Sequence, residues 1–252
     1  LISLRGRVGL VSGGGRGIGR ACAMALARAG ADVAISYTND DVAAEGTVRD
    51  LRALGVKAAA LQSDLRSFES AEQLVARATK VVGAPSILVA NHGVWEPAPI
   101  DTMTEEQYDR AIDTNLKGVF ALCRHVTPAM KTAGWGRIVL ISSTAGQRGE
   151  AGHSPYAASK GAIISLTKSL APELAPAGIL VNCVAPGWVM TDMSRPALED
   201  PERRKQILGT IPLGRVALPD EIAGAVLFLA SDLATFMCGE ILNVNGGAVL
   251  CG

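Results

Sequence analysis

Short apolar runs alternate along this chain with longer segments in which apolar residues return at every third or fourth position. Runs that are apolar throughout, such as Ile87-Leu88-Val89-Ala90 and Ile138-Val139-Leu140-Ile141, suit strands covered by helices on both faces. The alternation predicts strands near 7–11, 32–37, 57–61, 86–90, 136–142, 179–184 and 240–244. It predicts helices near 17–29, 40–54, 67–82, 104–131, 155–177 and 219–230. Strand and helix in regular succession is the pattern of βαβ units, hence of an α/β fold on a parallel sheet. Ligands of such sheets sit at the carboxyl ends of the strands. No repeat, low-complexity stretch or linker breaks the pattern, so residues 1–252 read as a single domain. The segment near 188–218, rich in proline and mixed charge, reads as a substrate lid.

Composition narrows the partners. The chain has 24 basic and 24 acidic residues and 48% hydrophobic residues, enough for one large core and without the charge excess that a nucleic acid would require. No apolar run reaches the ~18 residues of a membrane span, and no basic-then-apolar leader is seen at the start. Cys22, Cys123, Cys183, Cys238 and Cys251 are scattered without a Cys-x-x-Cys pair, so neither disulfides nor a metal site is expected. These features fit a cytoplasmic protein.

The chemistry lies between the predicted elements. Ser12-Gly13-Gly14-Gly15-Arg16-Gly17-Ile18-Gly19 joins the first strand to the first helix. Glycine suits a turn with unusual dihedrals, where backbone must come close to a phosphate at a helix N-terminus. No Gly-Lys-Ser/Thr follows, which argues against a nucleoside triphosphatase loop. Downstream, Tyr156 and Lys160 are spaced i and i+4, so both lie on one helix face, with Ser154 expected as the N-cap and Pro155 as the first helical residue. Ser143 ends the apolar run before them, and the three together can polarise a carbonyl and move a proton. A half-buried tyrosine beside a solvated lysine would show the same spacing. Asn115, a polar residue on an apolar helix, calls for a buried partner; it suits either a held water or a structural hydrogen bond. The turn Ala185-Pro186-Gly187-Trp188-Val189-Met190-Thr191-Asp192 can offer backbone groups to a carboxamide.

Together these motifs resemble the classical short-chain dehydrogenase/reductase family over essentially the whole chain. The resemblance implies a doubly wound Rossmann domain with a seven-stranded parallel sheet in the order 3-2-1-4-5-6-7. It also implies that Gly13, Gly15, Arg16, Gly17, Ile18 and Gly19 contact a nicotinamide dinucleotide. Further implied contacts are Tyr37, Asp64 and Leu65, then Asn91 and Gly93, and finally Pro186, Gly187, Val189 and Thr191. Tyr156 would be the general acid, Ser143 the carbonyl-oxygen donor and Lys160 both the ribose contact and the group that lowers the Tyr156 pKa. Asn115 would hold a water that returns the proton. The motif Ala90-Asn91-His92-Gly93 departs from the usual Asn-Asn-Ala-Gly, and His92 would change the polarity near the nicotinamide.

The segment Ile35-Ser36-Tyr37-Thr38-Asn39 carries no carboxylate where NAD enzymes of this type place one, and Asp40 and Asp41 look like helix caps. Arg16, Ser36 and Thr38 could receive a 2′-phosphate, so NADP(H) is expected, with NAD possible. The Tyr-Lys interval is shorter than the related enoyl reductases usually have, which favours a ketone or secondary alcohol. The pattern is closest to the 3-oxoacyl-carrier-protein reductase branch, implying a 3-oxoacyl thioester or a small carbonyl substrate. Gly134 and Ala177 stand where that branch places basic residues for its carrier protein. The other readings are an NAD-dependent alcohol, sugar or steroid dehydrogenase, and a non-catalytic NAD(P)-binding regulatory module. Trp95, His153 and Trp188 lie near the expected pocket, and Glu202-Arg203-Arg204-Lys205 is either an anion-attracting patch or a solvated helix face. A homotetramer through the fourth and fifth predicted helices is implied, with Ala248-Val249-Leu250-Cys251 adding to a second interface.

Overall fold

The computed structural model describes residues 2–250, so Cys251 lies outside the described residues. Its strands are β1 Val8–Ser12, β2 Asp32–Tyr37, β3 Ala58–Gln62, β4 Ile87–Ala90, β5 Gly136–Ile141, β6 Ile179–Pro186 and β7 Ile241–Val244. They form the expected seven-stranded parallel sheet, ordered β3-β2-β1-β4-β5-β6-β7. The helices are α1 Gly17–Arg28, α2 Asp41–Ala53, α3 Phe68–Val81, α4 Glu105–Ile112, α5 Gly118–Ala133, α6 Thr144–Arg148, α7 Ser154–Leu174, α8 Arg195–Glu199, α9 Pro201–Gly209 and α10 Pro219–Ala230.

Successive strand residues point to opposite faces, so each apolar strand feeds two cores. Val11, Val89, Val139, Ile141 and Val184 join the core beneath α1, α2 and α10. Leu10, Leu88, Ile138, Leu140 and Cys183 join the one beneath α3, α5 and α7. Leu10, Leu88, Ile138 and Leu140 are fully buried, and each side chain of this size stabilises the fold by about 1.5–3 kcal/mol. Helix starts follow local chemistry: the Asp40 carboxylate accepts from the Ala43 amide, Ser67 from Ser70, and Thr104 and Gln107 form a capping box. Asp40 is thus a cap, as expected. α7 opens one residue earlier than anticipated, with Ser154 inside it and His153 at the N-cap position.

Three further features differ from the sequence expectation. The helix expected over 104–131 is broken by a π-helical turn at Asp113–Lys117, because the Asn115 side chain bonds outside its own helix. α6 is a single short helix after Ser143, too brief to show a period. The segment expected as a lid contains α8 and α9; Ala197 and Leu198 of α8, Ile207 of α9 and Ile211 just beyond it form a small core with Trp95 and Trp188. No helix among the described residues is long and apolar enough to cross a membrane. Cys22, Cys123 and Cys183 are buried thiols, and Cys238 is exposed.

Candidate active site

One cleft of about 1280 Å³ runs along the carboxyl ends of the strands and gathers nearly every residue singled out above. Tyr156, in the first turn of α7, hydrogen-bonds to the side chain of Ser143, which also caps α6 by accepting from the Ala145 amide at 3.1 Å. Lys160 lies one turn further on with its Nζ 5.9 Å from the Tyr156 ring centre. That ammonium is buried and donates to the Ile141 carbonyl at 2.9 Å. Burial pushes the lysine down to about 8 and the phenol up to about 12; the Ser143 hydrogen bond pulls the phenol back down, and the charge of Glu150 pushes it up. Lys160 is not among the causes that set the phenol's value here. Desolvation dominates, and the ammonium is turned to a backbone oxygen.

Asn115 makes the structural hydrogen bonds that a buried polar residue calls for. Its Oδ1 accepts from the Val94 amide at 2.7 Å, and Nδ2 donates to the Val94 carbonyl at 3.0 Å and to Ser159 Oγ at 3.2 Å. With both donors engaged, the carboxamide is a strut tying the π turn to the β4 loop and to α7. Ser159, which donates to the Tyr156 carbonyl at 2.7 Å, and Ser142, which donates to the Lys160 carbonyl at 2.7 Å, complete this support. Neither was singled out from sequence, although both sit beside residues that were. His92 lines the cleft with both ring nitrogens turned inward: Nδ1 lies 2.7 Å from the Ser12 hydroxyl, and the sealed Nε2 faces the Thr114 backbone without a full hydrogen bond. Burial, reinforced by Lys160, pushes this imidazole down to about 3, so it stays neutral. His92 thus lies between the end of β1 and the π turn, with its nitrogens directed at both.

The other end of the cleft fits a dinucleotide. A Cβ on Gly19 would lie 2.1 Å from the Gly13 carbonyl oxygen, so only glycine lets the loop fold back onto α1. Gly13 and Gly17 have φ of 64° and 54°. α1 begins without a side-chain cap, leaving its first amides directed at the cleft, which Gly13, Gly15, Gly17 and Ile18 line. Gly19 lies beneath the loop rather than on its surface. Ser36 is likewise buried below it, its Oγ 3.4 Å from the Gly13 amide, and so braces the loop instead of facing outward. Arg16 reaches the mouth, 65% exposed and 3.6 Å from Asp192. Tyr37 and Thr38 line the same end, as do Asp64, which is paired with Arg66 at 2.6 Å, and Leu65. Asn91 holds the glycine loop by donating to the Ser12 and Gly13 carbonyls, and Gly93 leaves room for Asn115 and Lys160. Pro186, Gly187, Val189 and Thr191 form the facing wall.

Beyond Ser143 and Tyr156 the cleft is walled by Trp95, Glu96, Arg110, Arg148, Glu150, Trp188 and Met193. Trp95, His153 and Trp188 do come together, through ring stacking. α9 carries Glu202-Arg203-Arg204-Lys205 as an exposed face, with only Arg203 turned to Trp95. Glu150 and Arg148 were not anticipated. Arg148 ends the short α6 and Glu150 follows on the loop to α7, where no periodic pattern marks them.

Comparison with known proteins agrees with this geometry. Residues 13–249 match a family model described as enoyl-(acyl carrier protein) reductase. The 3-oxoacyl-(acyl-carrier-protein) reductase FabG of Staphylococcus aureus is 40% identical over 238 residues, covering 94% of this chain and 96% of that one. The acetoacetyl-CoA reductase of Shinella zoogloeoides is 40% identical over 241 residues, covering 96% and 98%. A crystal structure of a candidate NAD(P)-dependent gluconate 5-dehydrogenase from Beutenbergia cavernae, with NADP bound at low occupancy, matches with a TM-score of 0.92 and 36% identity over 98% of both chains.

Proposed function

The chain belongs to the short-chain dehydrogenase/reductase family, NAD(P)-dependent oxidoreductases acting on CH–OH and C=O groups, and within it we propose an NADP(H)-dependent ketone reductase. The observation that carries this reading is the half-buried Tyr156 phenol, hydrogen-bonded to Ser143 and one helical turn from Lys160, at the inner end of a dinucleotide-shaped cleft. A nicotinamide bound in the cleft supplies the hydride. With its pKa near 12, Tyr156 keeps its proton at neutral pH and can give it to a carbonyl oxygen as negative charge develops there. Ser143 steadies the same oxygen with its hydroxyl. Lys160 places a positive charge under the phenol and holds the cofactor's ribose, while Asn115, through Val94 and Ser159, fixes the floor on which both act. The residues of 188–218 close over the substrate as a lid.

NADP(H) is favoured by charge at the cofactor mouth. Arg16 is exposed there, and Asp40, the nearest acid after β2, is engaged as the cap of α2. The relatives that act on 3-oxoacyl and acetoacetyl thioesters support a β-oxo thioester substrate. The aromatic wall of Trp95 and Trp188 favours a small carbonyl compound as the second reading. We also infer a homotetramer that buries the apolar groove between α3, α5 and α7.

The test is oxidation of NADPH, followed by its near-ultraviolet absorbance, against acetoacetyl thioesters and a panel of small ketones. Turnover at least tenfold faster with NADPH than with NADH is expected. Tight cofactor binding with no turnover across the panel would favour a regulatory binding module instead.

A further inference from the structure

We propose that Glu150 is a specificity-determining residue, which selects carbonyl substrates bearing a hydroxyl group next to the reacting C=O. The proposal rests on the ketone-reductase reading and concerns the substrate end of the same cleft. Glu150 sits on the loop between α6 and α7, and its side chain is 23% exposed. It lines the cleft together with Ser143 and Tyr156 and is close enough to the phenol for its charge to be felt there.

This carboxylate is held rather than floating. Its Oε2 accepts from the Trp95 indole N–H at 3.1 Å. Trp95 is itself fixed on three sides. Its ring lies parallel to His153 with centres 4.6 Å apart, meets Trp188 edge-on at 5.7 Å, and has the Arg203 guanidinium of α9 5.7 Å from its centre. Two tryptophans and a helix from the proposed lid therefore determine where one carboxylate points.

The second oxygen has no such partner. The one ionisable partner within 4.0 Å of Oε1 among the described residues is His153 Nδ1, at 4.0 Å and beyond hydrogen-bond reach, and that nitrogen lies 3.3 Å from the Ala151 carbonyl. The other acid on this wall, Glu96, is paired with Arg110 at 3.3 Å. Arg148 lines the same wall but forms no ion pair among the described residues. A partly desolvated carboxylate with one open oxygen repels anions and rewards an O–H donor. The indole faces pack equally well on a plain alkyl chain and on the C–H face of a polyol, whereas the carboxylate, which can only accept, distinguishes a hydroxyl donor from its methylated analogue. A site built around such a hydrogen bond discriminates strongly against analogues that lack the donor.

The experiment compares kcat/KM with NADPH for hydroxyacetone and for methoxyacetone, which keeps the size and the oxygen but loses the donor. Acetoacetyl thioester serves as the control for ketone reduction itself. The wild-type enzyme is expected to prefer hydroxyacetone by roughly 10- to 100-fold. In Glu150→Ala that ratio falls to about one. Trp95→Phe preserves the ring stack but removes the indole N–H, and is expected to lower the ratio as well by releasing Glu150; it decides the matter if Glu150→Ala does not fold. A wild-type ratio near one alongside thioester turnover overturns this inference and leaves ketone reduction standing. A ratio that survives in both variants overturns it too. No turnover of any of the three compounds sinks the ketone-reductase reading and the inference with it.

Discussion

Tyr156 holds its proton firmly because burial raises the phenol to about 12, and the useful consequence is a neutral acid available throughout the physiological range. Tyr156→Phe keeps the ring and removes only the O–H. It is expected to lower kcat by roughly 10²- to 10⁴-fold while leaving the dissociation constant for NADPH, measured by fluorescence titration, within about threefold. Retention of near-normal turnover would contradict the assignment. Lys160 introduces the pH dependence. With its ammonium pushed down to about 8, it is charged below that pH and neutral above it, so kcat/KM for the cofactor should hold steady on the acid side and decline above about pH 8. A profile flat from pH 7 to pH 9 would exclude that role. The sign for stability is opposite. The ordinary lysine value is 10.5, so between about 8 and 10.5 the unfolded chain binds the extra proton and this residue's contribution to stability rises with pH. The sequence showed the Tyr-Lys face and Ser143, because helical spacing is local information. It did not show that the ammonium would turn to the Ile141 carbonyl, since that oxygen comes from a neighbouring strand.

At the scale of elements, the π turn is the least regular part of the fold and the one that supports the chemistry. Asn115 is fully buried and satisfies both backbone groups of Val94. Asn115→Ala leaves that amide and carbonyl unpaired, at about 1–3 kcal/mol each. The expected result is a melting temperature lower by roughly 4–24 °C, at about 2–4 °C per kcal/mol, together with a reduced kcat, read by thermal denaturation and steady-state kinetics. An unchanged melting temperature would mean that Val94 finds other partners. The close packing allows little adjustment, because a Cβ on Gly118 would lie 2.3 Å from the Leu65 carbonyl oxygen and 2.7 Å from His92 Nε2. Helix and strand positions were legible because apolar periodicity and caps such as Asp40 are written in adjacent residues. The interruption at Asp113–Lys117 was not, because its cause is a hydrogen bond to a loop 21 positions away. The bracing of Glu150 by Trp95 escaped for the same reason, with 55 positions between them. In α8 and α9 the charged composition concealed the few apolar residues that pack inward.

For the whole molecule, Phe68, Leu116, Phe120 and Leu166 border an apolar groove between α3, α5 and α7, and Phe120 is 47% exposed within it. An apolar face of this kind is characteristic of surfaces that meet another subunit. Phe120→Glu is expected to convert the inferred tetramer to smaller species, as judged by sedimentation velocity. A wild-type protein that sediments as a monomer at micromolar concentration would refute the assembly. The strand order was legible only through the family resemblance, because alternation by itself says parallel without saying which strand lies beside which. That order also has a meaning during synthesis. β1 lies inside the sheet, and each later strand is added at an edge already made: β2 and β3 on one side, then β4, β5, β6 and β7 in turn on the other. No strand has to be inserted between two that are already paired. A chain emerging from the ribosome can therefore build this sheet in the order in which it is translated, and the tyrosine site takes shape before the last edge strand arrives.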